Sequence, residues 1–253
     1  MKECGFCFKE ATQLTGEHIF SDWMNKIFTK PWERRFSLPD GRVFAFGAAE
    51  LNWKEKVVCG DCNSGWMSAI ESDHAEPMLT PLIVGQIGIP ISEEWSRSIA
   101  LFAFKTAAVI DLMPEIKKRT SSFFSKRIRT DFRKNLTIPP SVWMWMCAYI
   151  PEHYRADVFA SAYHTEVPVI GPMQFYIVTY AIGHFVFQVL SLKSIYTGRI
   201  RIEAGDTTFN RAAVQFWPKI APKFVWPRPF AIRSVEELEK FHRRWEQAVS
   251  FAG

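Results

Sequence analysis

The feature that most constrains this chain is a pair of C-x2-C knuckles set far apart, Cys4-Gly5-Phe6-Cys7 and Cys59-Gly60-Asp61-Cys62. Four thiolates in two such knuckles suit one tetrahedral zinc ion in a closed structural site, with no open position for substrate. An iron-sulfur cluster and a redox dithiol are the other chemistries that soft thiolates allow. A single ion bound this way staples the N-terminus to the start of a distant helix. The fifth cysteine, Cys147, lies inside the apolar run from Val142 to Ile150 and reads as a small buried hydrophobe. An odd count with four members in knuckles points to metal ligands in a reducing compartment rather than to disulfides.

The rest of the composition sets the class. With 253 residues, 48% of them hydrophobic, and 22 Phe and 10 Trp, the chain can fill a real core. Met1-Lys2-Glu3 runs straight into the first knuckle with no apolar stretch behind it, so no signal peptide is read and a cytoplasmic location is expected. The two longest apolar runs, Ile99 to Met113 and Phe175 to Leu190, are interrupted by Lys105 and His184. Both fall short of the roughly 20 residues of a membrane helix, so no membrane partner is expected.

In chain order, residues 1–78 read as a small metal-organised module and residues 79–253 as an α+β domain. Asp22 to Phe28 suits a short helix behind Ser21, and Pro39-Asp40-Gly41 is a turn signal. Arg42 to Phe46 and Leu51 to Val58 suit two short strands or a hairpin that delivers Cys59, and Asn63 or Ser64 can cap a following helix. Ser92, with Glu93 and Glu94 in the first turn, opens a strong helix through Trp95, Ile99, Phe102, Thr106 and Ile110 that Pro114 closes. Lys105 stands out on that apolar helix and reads as a paired or snorkelling lysine. Val142 to Ile150, Asp157 to His164, Gln174 to Ile182 and His184 to Leu192 read as one antiparallel sheet packed on it, with Gly183 as a tight turn and Arg199 to Glu203 as a short added strand. The proline-rich segment Trp217 to Phe230 reads as an extended strap, and Ser234 with Glu237 opens a closing helix carrying Leu238, Phe241, Trp245, Ala248 and Val249 inward.

Charge is concentrated in one place. Lys117 to Lys134 holds eight basic residues against one acid, while the remainder of the chain is slightly acidic. Phe124, Ile128, Phe132 and Leu136 recur at steps of four, which predicts a basic amphipathic helix. Its Lys126, Arg127, Arg129, Arg133 and Lys134 are candidate contacts to nucleic acid. A solvated face and a membrane-surface helix are the competing readings.

A staple between the knuckles brings Glu17-His18 beside Asn63. A carboxylate and an amide oxygen are hard ligands suited to Mg²⁺ or Mn²⁺, and a neutral imidazole beside that ion can take a proton from water. Together those parts can hydrolyse a phosphodiester. On a helix from Asn63, Glu71 and His74 fall near the same face.

Cys4-x2-Cys7, Glu17-His18-Ile19 and Val57-Val58-Cys59-x2-Cys62-Asn63 leading into a helix resemble the HNH, or His-Me finger, endonucleases that carry a four-cysteine zinc site. Glu17 to Met24 and Cys62 to Glu71 look in particular like a group of bacterial HNH endonuclease-like proteins. The resemblance covers roughly the first third of the chain. It implies a zinc-stapled ββα-metal finger followed by an α+β domain. It also implies His18 as general base, with Glu17 and Asn63 as ligands of a catalytic Mg²⁺ or Mn²⁺ ion. The expected activity is metal-dependent endonuclease cleavage of nucleic acid, double-stranded DNA ahead of RNA, and a homodimer is left open. The competing class is a zinc-finger nucleic-acid-binding or adaptor protein without cleavage. Where the family places Pro after the histidine this chain has Ser21, and the position often basic after the second knuckle is Trp66. The nearest candidate for the family's histidine-orienting Asn is Asn52.

Overall fold

Two short antiparallel strands, β1 (Lys2–Glu3) and β2 (Glu10–Ala11), flank the first knuckle and are followed by β3 (Thr15–His18) and a helix at Met24–Ile27. The computed structural model describes residues 2–27, 32–37, 43–48, 51, 53–113, 122–153, 155–167, 171–194, 208–218 and 223–245. Asn52, the turn at Pro39 to Gly41, Pro114, Lys117 to Arg119, the added strand at Arg199 to Glu203, and Ala248 and Val249 lie outside these residues.

The strands between the two knuckles pair differently from the sequence expectation. β4 (Trp32–Ser37) forms a hairpin with β5 (Val43–Ala48), and β6 (Lys54–Val58) pairs antiparallel with β3 instead of with β5. The reason is the staple: for the knuckles to converge, Thr15 must lie opposite Val58, the residue before Cys59. The β4–β5 hairpin thereby leaves this pair and joins another sheet. A helical run over residues 60–83 follows, kinked at Gly65, whose φ and ψ of −93° and −114° are not helical, and π-wound at Ile70–Ala75. It starts inside the second knuckle, so Asn63 and Ser64 lie within it and do not cap it.

Beyond β7 (Ile89–Ile91), the helix Glu93–Asp111 runs through the centre of the molecule, capped by Ser92 Oγ accepting from the Trp95 amide at 3.3 Å. Every residue from Ser98 to Asp111 is buried. The four predicted strands appear as β8 (Val142–Tyr149), β9 (Arg155–Val167), β10 (Gly171–Ile182) and β11 (Phe185–Ser194), each antiparallel to its neighbour in the order β8-β11-β10-β9. Gly183, at φ +52°, makes the turn between β10 and β11, a left-handed conformation that glycine adopts without steric cost. The sheet grows to eight strands. β12 (Val214–Trp217) and β14 (Ala231–Ile232) both pair with β8, and β4, running parallel to β9, adds the β4–β5 hairpin at the far edge. Between β12 and β14, β13 (Phe224–Trp226) pairs with β7, and Trp226 is buried, so this part of the proline-rich strap does wrap the core.

Both faces of the β8–β11 part of the sheet are covered. On one, Tyr176, Val178, Tyr180, Phe187 and Val189 pack on the central helix, with the Tyr176 hydroxyl donating to the Ala107 carbonyl at 3.2 Å. On the other, Leu238 and Phe241 of the closing helix Val235–Arg243 pack on Tyr149, Phe159 and Val186. This explains why the strands read as nearly continuous apolar runs rather than alternating ones. One core contains Cys4 and Phe6 at its start and Trp226 at its end, and the helix Glu76–Ile83 runs across residue 78.

The second face holds a buried polar cluster that periodicity does not reveal. His242 lies between Ser161 Oγ at 2.8 Å and Thr179 Oγ1 at 2.9 Å, and Gln188 joins Thr179 to Arg244 and Trp245. Burial, with the Arg243 charge nearby, pushes the His242 imidazole down to about 3. The imidazole is therefore neutral in the fold at all moderate pH values, whereas in the unfolded chain it takes a proton near pH 6.5. Stability from this group is complete above that value and is lost as pH falls towards 3, about 2 kcal/mol of it between pH 6.5 and 5. Urea unfolding midpoints of His242→Gln should depend less on pH over that interval than those of the parent chain.

Candidate functional site

The β3–β6 pair and the helical run after it carry two adjacent clusters. In the first, the sulfurs of Cys4, Cys7, Cys59 and Cys62 all lie within 4.8 Å of one another. Cys7 Sγ is 3.6 Å from Cys59 Sγ, and the Cys59 amide donates to Cys4 Sγ at 3.3 Å. Four thiolates about a zinc-sized ion, with bonds of about 2.3 Å, place neighbouring sulfurs about 3.8 Å apart, so the arrangement fits a tetrahedral metal site. A hydrogen bond from the Cys62 thiol pulls Cys4 down to about 4, and the shared proton pushes Cys62 upward. This is the four-cysteine metal-binding cluster that the knuckle spacing predicts, and among the described residues no other group of three or more His, Cys, Asp and Glu side chains gathers ligand atoms this way.

The second cluster lines a pocket of about 330 Å³ formed by Thr15, Glu17, His18, Gly60, Asn63, Ser64, Ser68 and Glu71. Strand pairing and helix winding place these side chains. The β3–β6 register shifts between Thr15 and Gly16, and such bulges re-aim side chains next to functional sites. Asn63 Nδ2 donates to Thr15 Oγ1 and to the Gly16 carbonyl, both at 3.1 Å, so its Oδ1 is the end turned away from the strand. The kink at Gly65 and the π-wound turn at Ile70–Ala75 put Asn63, Ser64, Ser68 and Glu71 along the pocket. Met67 and Ile70, which a regular helix would place near the same face, are instead buried in the core. His74 turns to Ser98 on the central helix, its Nδ1 3.3 Å from the hydroxyl.

His18 sits on the pocket wall with Nε2 buried and, among the described residues, without a hydrogen-bond partner. The Asp22 carboxylate is 3.9 Å away, too far for a hydrogen bond. Burial first, then the Lys54 charge across the strand pair, lowers the His18 pKa below its ordinary value. The imidazole is therefore neutral at pH 7, the state a proton acceptor needs.

Glu17 is 3% exposed and its Oε1 accepts from Lys105 Nζ at 2.6 Å; Glu71 Oε1 accepts from the same nitrogen at 2.5 Å. Lys105, 1% exposed, comes from the middle of the central helix. Burial alone would lower its pKa, but the two carboxylates outweigh that and hold it charged, while burial raises Glu17 in spite of the lysine. Periodicity marks Lys105 as an anomaly on an apolar helix, yet nothing in the sequence says which acids it meets.

The basic helix is shorter than predicted and faces another way. It spans Lys126–Asn135, and Phe123 and Phe124 precede it, their amides donating to Asp111 at 2.7 and 2.9 Å. Arg129 is buried, correcting its placement on the solvent arc: Nε donates to the Gly5 carbonyl at 2.7 Å, and Nη1 to Ser122 Oγ and the Phe124 carbonyl. Arg133 turns to Cys62, which raises its pKa, and Lys126 pairs with Glu3 at 2.7 Å. Arg127, 91% exposed and 3.7 Å from the Asp131 carboxylate, and Lys134 remain at the surface, as does Lys126 despite its pair. The helix latches the first knuckle because the Gly5 carbonyl needs a donor there and the thiolate cluster attracts cations. Arg129→Ala should therefore lower unfolding free energy by about 2–3 kcal/mol, as expected for charged hydrogen bonds removed from a buried site. Lys134→Glu should change it by less than about 0.5 kcal/mol. Urea titration of both variants checks this.

Trp66, at the position that is often basic in the resembling family, is a packing residue: its ring sits edge-on to Phe6 and Phe132, at centroid distances of 5.2 and 5.6 Å. Comparison of the chain with protein-family models, with characterised proteins and with solved structures returns no match. The chain is thus a mixed α+β protein with a four-cysteine cluster beside a polar pocket, and no helix among the described residues is long and apolar enough to cross a membrane.

Proposed function

We propose that the chain is an HNH-type endonuclease, with zinc held by Cys4, Cys7, Cys59 and Cys62 and a Mg²⁺ or Mn²⁺ ion held in the pocket by Glu17 and Asn63. The observation that carries this reading is the meeting, in one pocket, of a neutral His18 whose buried Nε2 has no hydrogen-bond partner among the described residues with the carboxylate of Glu17 and the amide of Asn63. Glu17, Asn63 and Glu71 line the pocket and would offer hard oxygens of the kind preferred by an ion that takes one or two carboxylates and keeps several waters for exchange with phosphate. Such an ion, when bound, stabilises developing charge on the phosphoryl and leaving oxygens.

The residues of the chain have distinct parts in hydrolysis. His18 accepts the proton of the attacking water and holds it on the imidazole, which is uncharged beforehand because burial and Lys54 disfavour the cation. Asn63, fixed by its two donations to β3, presents Oδ1 without a change of rotamer. Thr15, Ser64 and Ser68 offer hydroxyls to the phosphate oxygens. Double-stranded DNA is the expected substrate, in the cytoplasm.

The exposed basic residues of the helix are Lys126, Arg127 and Lys134, the first two in surface ion pairs with Glu3 and Asp131, so these, and not Arg129 or Arg133, are the informative charge reversals in a salt titration. For every phosphate that such a reversal leaves unneutralised, the slope of log affinity against log salt should become shallower by about 0.9.

A second reading, a nucleic-acid-binding protein without cleavage, is favoured by one observation: Glu17 already commits an oxygen to Lys105. Incubation of supercoiled plasmid with the purified chain and Mg²⁺ or Mn²⁺ separates them. Nicking that depends on the added ion supports the nuclease, and intact plasmid with retained binding supports the alternative.

A further inference from the structure

A buried ammonium at the floor of a polar pocket calls for an explanation. Removing a lysine charge from water costs several kcal/mol unless it is paired. Lys105 is the charged residue that projects from an otherwise apolar and small-residue stretch of the central helix, and it reaches not one carboxylate but two, Glu17 at 2.6 Å and Glu71 at 2.5 Å. These acids belong to different elements, β3 and the π-wound helix, and both line the pocket. Lys105 does not line it. It approaches from behind, out of the core, with the Phe102 ring 5.5 Å from its nitrogen.

From this we infer that Lys105 is a positioning residue that sets which cation the pocket accepts. Its ammonium takes one oxygen of each carboxylate, so that Glu17 and Glu71 can each offer only the remaining one. The inference rests on the reading of the pocket as a divalent-ion site. Two physical consequences follow. With one positive and two negative charges the triad keeps a net charge of −1, enough to attract a divalent ion but half the charge that the free carboxylates would carry. Single-oxygen ligation also matches a small octahedral ion that retains its waters, Mg²⁺ or Mn²⁺. Ca²⁺ takes six to eight oxygens and commonly binds carboxylates through both, so the lysine holds away the oxygens it would use. Residues behind metal ligands typically alter affinity by about 10–100-fold when replaced, which is the range to look for.

The test uses the full-length, zinc-loaded protein without nucleic acid. Mn²⁺ binding is measured by the paramagnetic resonance signal of the free ion, and Ca²⁺ by its competition with Mn²⁺. The parent chain should bind one Mn²⁺ and should prefer it to Ca²⁺. In Lys105→Met, which keeps the stem of the side chain as far as Cε and removes the ammonium, the preference should shrink by about tenfold or more, chiefly because Ca²⁺ binds more tightly. A folded Lys105→Met with an unchanged Mn²⁺ to Ca²⁺ ratio overturns the inference, as does a parent chain that binds no Mn²⁺. Should Lys105→Met fail to fold, Glu71→Gln serves instead, since it leaves the Lys105–Glu17 pair intact. It should weaken Mn²⁺ by about tenfold, and unchanged Mn²⁺ binding overturns the inference. Failure of the nuclease reading looks different: Mn²⁺ binds with the stated preference and plasmid stays intact. Ion-dependent nicking with an unchanged ratio rejects the role of Lys105 alone.

Discussion

Replacing His18 with alanine should reduce ion-dependent plasmid nicking by about 10²–10⁴-fold, the contribution of a positioned general base, while leaving the fold and the cysteine site unchanged. The side chain is partly exposed on a pocket wall and its Nε2 makes no hydrogen bond to the described residues, so its removal breaks no internal hydrogen bond of that atom. The strand that carries it is held by backbone pairing to β6, by the Ile19 amide donating to the Trp53 carbonyl at 2.9 Å, and by Asn63. An unchanged urea midpoint in His18→Ala is therefore part of the expectation, and it separates loss of chemistry from loss of structure. Equal nicking by parent and variant would reject His18 as the base and would require another acceptor in the pocket. An Asp22→Asn variant adds a finer comparison. At 3.9 Å its carboxylate stabilises only an imidazolium, so its loss should cost far less than the loss of His18.

The cysteine site is the most legible part of this protein because metal ligands obey spacing rules that do not depend on the rest of the fold. Four soft ligands in two knuckles have few other uses, and the sulfurs meet as the spacing requires. The sheet is legible for a related reason: β8 to β11 are long and apolar, and Gly183 marks their tightest turn. Sequence and structure part where a distant constraint overrides a local pattern. The β5 segment suits a hairpin with β6, but convergence of the knuckles gives β6 to β3. The basic helix shows a clean charged arc, yet the arc counts residues by angle and cannot register that Gly5 and Cys62 lie against it, so periodicity assigns Arg129 and Arg133 to solvent. Glu71 and Lys105 each stand out singly in the sequence. Their pairing with Glu17 depends on the phase of a π-wound helix against a helix begun far downstream, which no periodicity encodes.

The remaining large effect concerns the cysteines, and its size follows from where they sit. Cys4 and Cys62 are buried within the same apolar core as the central helix, and Gly5 donates to the Val57 carbonyl at 2.9 Å while accepting from Arg129. Removal of a metal from this cluster should therefore not release an independent unit; it should leave up to four uncompensated thiols, and the positive Arg133, against the core. In isolated zinc-finger peptides the ion supplies an apparent ~10–16 kcal/mol, nearly all of the folding free energy. Here the sheet and central helix supply their own, so the expected loss is a part of that figure, but a part larger than any single side chain contributes. Elemental analysis should find about one zinc per chain, and Cys59→Ser should lose it. The variant should show a thermal unfolding transition that begins well below that of the parent and includes the tryptophan signal of the knuckle region, since Trp66 packs on Phe6. Excess zinc should not restore it, whereas zinc added back to chelator-stripped parent protein should. A purified parent chain that is fully folded and free of metal would reject the staple. It would also remove the reason for β3 to lie beside β6, and with it the explanation of how Glu17, His18 and Asn63 come to share one pocket.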